Sequence, residues 1–80
     1  MPEEQLFKTE ERRTRADIAD ALVDAAEEIE AGTVQLGSGT DRRSVEVPEE
    51  AAFEVELERM TDSETGEVYL ELEYELSWTE

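Results

Sequence analysis

The sequence predicts an α+β domain in the order β-α-β-β-β-β, with one helix packed on one face of a mostly antiparallel five-strand sheet. Three patterns carry that prediction. The closing stretch, residues 67–78, alternates Val68, Leu70, Leu72, Tyr74, Leu76 and Trp78 with Glu71, Glu73 and Glu75. A two-residue period is that of a β-strand, here with one apolar and one acidic face. Phe53, Val55 and Leu57 alternate in the same way with Glu54, Glu56 and Glu58. Between Thr14 and Gly32 the period is helical instead, with Ile18, Leu22, Ala25, Ala26 and Ile29 on one face and Ala19 and Val23 beside them.

Taken in order, residues 4–13 form the expected first strand. It is an edge, because Leu6 and Phe7 are its only strong apolar residues and Lys8, Glu10 and Arg12 share a face. Thr14 is placed to cap the helix, with Asp17 in the first turn, where negative charge is favoured. Gly32 ends the helix as a left-handed cap. Val34 and Leu36, then Val45 and Val47, flank the glycine-containing loop 37–43 as a hairpin, pairing Leu36 with Val45 and Val34 with Val47. Pro48 ends that strand. Residues 61–66 form the turn that returns the chain into its closing strand. A right-handed crossover through the helix makes the first two strands parallel. With each later strand reversing, the helix amino terminus, the 37–43 loop and the 61–66 turn come to one end of a single domain spanning residues 1–80.

Composition narrows the chemistry. Among the 80 residues there is no cysteine and no histidine, which removes disulfides, thiolate metal sites and the commonest general base and zinc ligand. Twenty-four acidic residues against seven basic ones give a net charge of −17, and every base but Lys8 is arginine. Such a chain is expected to repel nucleic acid, since that binding rests on neutralising phosphates. One account of the charge is a solvated surface suited to molar salt, where the screening length falls to about 3 Å. Another is an acidic mimic of nucleic acid that occupies a basic site on a partner. The regular apolar spacing of the second half argues against disorder. No apolar run approaches the roughly 20 residues of a membrane helix. The acidic start, Met-Pro-Glu-Glu-Gln, does not resemble a secretory signal. The expectation is a cytoplasmic protein without a membrane partner.

Several segments in this order resemble the amphi-Trp domain family: Glu11-Arg12-Arg13 before the helix, Glu30-Ala31-Gly32 at its end, Val45-Glu46-Val47-Pro48, Phe53-Glu54-Val55-Glu56-Leu57, and a last amphipathic strand ending in Trp78. The resemblance covers nearly the whole chain. It implies a small acidic domain of the kind found mainly in halophilic archaea, and supports the salt account of the charge. It brings no established activity and no catalytic residues.

Three features are candidates for function. The first is a carboxylate ladder. The expected register sets Leu57 against Leu70, Val55 against Leu72 and Phe53 against Tyr74, so that Glu56 faces Glu71 and Glu54 faces Glu73. Opposed like charges destabilise a sheet unless they are screened by salt, bind a hard cation or meet a basic partner. A flat solvated face does not favour acid–base catalysis. The second is a cluster of Arg12, Arg13, Arg15, Arg42 and Arg43, gathered at one end by the topology and suited to phosphate or carboxylate. The alternative for these arginines is pairing with Glu10, Glu11 and Asp41. Gly37-Ser38-Gly39 is not a phosphate-binding P-loop, because no Gly-Lys-Ser or Gly-Lys-Thr follows. The third is Tyr74, Leu76 and Trp78. A closing strand of about 11 residues spans roughly 37 Å, whereas a 17-residue helix spans about 25 Å. Part of the apolar face then stays open for a second copy or another protein, unless Trp78 packs as a core residue near Gly32 and Pro48. The expectation is a non-enzymatic interaction module without a cofactor, with an anion or nucleotide site at the arginine end as the alternative.

Overall fold

The computed structural model describes residues 2–80; Met1, part of the acidic start, lies outside the described residues. The chain divides into two compact units, Met1–Val47 and Pro48–Glu80.

The first unit holds helix α1, Arg15–Ala31, and the hairpin of β1, Thr33–Leu36, with β2, Arg43–Glu46. The helix has the expected bounds. Thr14 is extended at φ −69° and ψ 157°, and its Oγ1 accepts a hydrogen bond from the Asp17 amide at 3.1 Å. Gly32 closes the other end at φ 100°, donating its amide to the carbonyls of Glu28 at 3.0 Å and Ile29 at 3.1 Å. A side chain at that φ would be strained, which is why the helix stops on glycine. Thr14→Ala should cost about 1 kcal/mol of stability, read as a lower urea midpoint at unchanged slope. An unchanged midpoint would show that the cap contributes nothing.

The carboxy-terminal half of α1 packs on β1. Ala25 and Ile29 are half-buried, as are Val34, Leu36, Val45 and Val47. A side-chain bond fastens the two elements: the Gln35 amide donates to Glu28 Oε1 at 2.7 Å. That carboxylate satisfies a backbone donor left free on an edge strand. Ile18 and Leu22, on the amino-terminal half, remain about half exposed.

The second unit is one long hairpin, β3, Ala52–Thr61, against β4, Val68–Ser77. Its turn is built on Asp62. The Asp62 amide donates to the Glu67 carbonyl at 2.8 Å, and Asp62 Oδ1 accepts from the amides of Glu64 at 2.8 Å and Thr65 at 3.2 Å. Gly66, at φ 79°, donates to the Asp62 carbonyl at 2.9 Å.

The predicted five-strand sheet is corrected by this architecture. There are two separate two-stranded sheets, β1-β2 and β3-β4, both antiparallel, and the helix packs on β1. Residues 4–13 are irregular and form no first strand, so the parallel crossover pair does not exist. That segment has only two strong apolar residues and no sustained alternation, too little to reward a strand with a packed face. Phe7 instead lodges against the β1-β2 loop. Both hairpin registers also differ from expectation by two residues. Val34 pairs with Val45, and Leu36 with Arg43, because the loop is occupied by positive-φ Gly37 and Gly39 and a short 3-10 turn, Gly39–Asp41. Leu57 pairs with Leu72, Val55 with Tyr74 and Phe53 with Leu76, because the Asp62 turn closes on Glu67. A slip of two residues leaves every side chain on its expected face.

Candidate functional site

The β3-β4 hairpin presents two chemically opposite faces. On one, the paired sets Phe53–Leu76, Val55–Tyr74, Leu57–Leu72, Arg59–Leu70 and Thr61–Val68 make a continuous apolar strip. Phe53 and Tyr74 sit diagonally across the ladder and stack, with ring centroids 6.3 Å apart and planes inclined by 13°. The strip is open. Leu57 is 67% exposed, Leu70 66% and Phe53 65%. No side chain among the described residues is fully buried. An apolar stretch this long and this exposed is a candidate contact surface.

Of the residues expected to remain open, Tyr74 is exposed, Leu76 is half-buried and Trp78 is 38% exposed. The most exposed members are Leu57 and Leu70 near the middle of the hairpin and Phe53 near its end. Phe53, Val55, Leu57, Val68, Leu70 and Leu72 belong to the surface as much as the end does, and the two-residue period already marked all of them. Arg59, not singled out by the sequence reading, takes a place on this face opposite Leu70.

The opposite face carries three cross-strand glutamate pairs, Glu54–Glu75, Glu56–Glu73 and Glu58–Glu71. The ladder is therefore one pair longer than expected, with different partners. The Glu56 carboxyl is pushed above its ordinary value of 4.5, first by a hydrogen bond with Glu58, then by the Glu58 charge, some desolvation, and the charges of Glu54 and Glu73. A carboxyl–carboxyl hydrogen bond needs a shared proton, so crowding favours the protonated form. Because the folded state holds this proton more tightly than the unfolded chain, its contribution to stability is full below pH 4.5 and is lost as pH rises through the raised value. Glu56→Gln should then make the hairpin more stable than wild type at pH 7 in 0.1 M salt and flatten its pH dependence. Circular dichroism melts across pH 4–7 would refute this if the variant melted lower at pH 7.

Tyr69 lies on the acidic face, and its hydroxyl donates to Glu67 Oε2 at 2.6 Å. That bond and slight desolvation raise the phenol above its usual range. Among the described residues no group of three acidic side chains converges to hold a metal ion.

The five predicted arginines do not all line one groove. Arg42 and Arg43 line a groove of about 460 Å³ in the first unit with Leu6, Phe7 and Lys8. Arg13 lines a second groove with Thr9, Ile18 and Leu22, and is paired with Glu11 at 2.9 Å. Arg12 and Arg15 are exposed and line neither groove. Lys8 was missed because residues 4–13 were read as an edge strand. As an irregular segment, they bring it beside the loop.

Among the described residues no helix is long and apolar enough to cross a membrane. No curated protein and no solved structure matches the chain. The amphi-Trp domain profile matches residues 1–80. The register now accounts for the features behind that name, an amphipathic last strand followed at once by tryptophan, and the chain belongs to the amphi-Trp domain family.

Proposed function

We propose that this chain is a non-enzymatic protein-interaction domain adapted to a salt-rich cytoplasm, and that it pairs with a second copy of itself through the apolar face of the β3-β4 hairpin. The supporting observation is the exposed strip from Phe53 and Leu76 to Thr61 and Val68. Full burial of a large apolar side chain is worth about 1.5–3 kcal/mol at roughly 25 cal/mol/Å², or about 60–120 Å² each. The eight apolar side chains of the strip, still more than half exposed for the most part, leave on the order of 450 Å² to cover. That is above half of the roughly 800 Å² which each partner contributes to a standard interface, and Trp78 extends it.

A twofold arrangement brings the same patch of each copy together. Two hairpins stacked face to face, about 10 Å apart, turn both glutamate ladders outward. The repulsion between copies, each of net charge −17, is then carried by solvated faces, where molar salt screens it. The lack of histidine and cysteine in the sequence favours a binding role over a catalytic one. Sedimentation equilibrium in 2 M KCl tests the pairing: a concentration-dependent dimer is expected, and a strict monomer at 0.5 mM would overturn it.

A further inference from the structure

The geometry points to a second site, independent of the hairpin surface: the groove between residues 6–8 and the β1-β2 loop takes a small phosphorylated aromatic molecule of the nucleotide class. Its construction begins at Gly37. A Cβ there would lie 2.9 Å from Phe7 Cε2 and would also collide with the Asp41 carbonyl oxygen. At φ 78° the position suits glycine, and its bare backbone leaves room for the phenyl ring. Phe7 is consequently the one half-buried residue of segment 2–14. Its seating holds an otherwise irregular segment against the loop and gives the groove an apolar wall with Leu6.

Charge supplies the other half. Lys8, Arg42 and Arg43 line the same groove, so three of the seven cations of a strongly acidic chain meet there. Among the described residues the ion pair is Arg13 with Glu11, and none of these three cations has a carboxylate within 4.0 Å. With 24 acidic residues in the chain, cations left unpaired together favour a ligand that brings its own negative charge. Guanidinium forks match phosphate oxygens in pairs, and a lysine ammonium adds three donors, enough together for a diphosphate. Leu6 and Phe7 offer an apolar and aromatic wall to a base. Asp41, also at the groove, suits a sugar hydroxyl as an acceptor. The volume of about 460 Å³ lies within the range of small-molecule sites. Size thus favours a small ligand over an extended polyanion.

The test is a titration of the full ¹⁵N-labelled chain with ADP, adenosine and inorganic phosphate, in 0.15 M and 2 M KCl. Amide shifts of Lys8, Arg42 and Arg43 should saturate with ADP, while adenosine and phosphate bind roughly tenfold or more weakly because each offers half the ligand. The Arg42→Ala, Arg43→Ala double variant should lose at least tenfold in ADP affinity. Lys8→Ala, in an irregular exposed segment, keeps the measurement open if the double variant loses its fold, and should also weaken ADP. No saturable shift with ADP, equal binding of phosphate alone, or ADP affinity unchanged in the folded variants would each overturn the site. The oligomeric state bears on none of these outcomes.

Discussion

Replacing Leu72 by aspartate should break self-association of the chain by at least a hundredfold. Leu72 lies opposite Leu57 near the centre of the ten-pair ladder, on the exposed apolar strip. Removing one buried leucine forfeits about 1.5–3 kcal/mol, and a twofold interface contains the change twice. About 1.4 kcal/mol corresponds to a tenfold change in affinity. Leu72 is still 58% exposed in the single chain, so the lost contact alone accounts for roughly 20- to 300-fold, and burying an unpaired carboxylate in each copy takes the loss past a hundredfold. Sedimentation equilibrium reads the constant directly, and Leu72→Met, which conserves volume and polarity, should retain the dimer. Far-ultraviolet circular dichroism checks that the aspartate variant still forms its hairpins. A folded Leu72→Asp chain that dimerises like wild type would place the interface elsewhere.

Raising KCl from 0.1 to 2 M should lift the melting temperature by about 5–20 °C. Side chains directly opposed across an antiparallel ladder are about 5 Å apart at Cβ, and pairs of this kind are worth roughly 0.2–1 kcal/mol of either sign. Glu54–Glu75, Glu56–Glu73 and Glu58–Glu71 make three of them on one face. The screening length falls from about 10 Å at 0.1 M to about 3 Å at 1 M, shorter than the pair spacing. Relieving on the order of 1–3 kcal/mol in a chain of this size moves the midpoint by roughly 4–8 °C per kcal/mol. The triple variant Glu54→Gln, Glu56→Gln, Glu58→Gln separates screening from a general salt effect on apolar burial. It should melt higher at 0.1 M and respond less to salt. Equal melting temperatures of the wild type at both concentrations would remove the ladder as a source of salt dependence.

These expectations differ in how far the sequence alone supports them. Helix α1 was legible to the residue, because its two ends are set by local chemistry: the Thr14 hydroxyl on the Asp17 amide, and the left-handed Gly32. The faces of β3 and β4 were legible because they depend only on parity along each strand. Register was not, because it is set by turn atoms. The side chain of Asp62 captures two amides and the turn closes on Glu67, moving the pairs by two residues and turning two expected glutamate pairs into three. The number of strands was the largest miss. It turned on residues 4–13, where Phe7 found a seat on Gly37 and no sheet partner. The same placement sets Lys8 in one groove with Arg42 and Arg43, an outcome no spacing rule contains.

The final register has one more consequence. Ala52 pairs with Ser77, so the ladder ends one residue before Trp78, the single tryptophan of the chain. At 38% exposure its indole is partly wet. The molecule thus carries a native fluorophore at the end of its own apolar strip. Emission colour and quencher access become label-free gauges of how dry that end is, under any salt, pH or concentration at which the chain is studied.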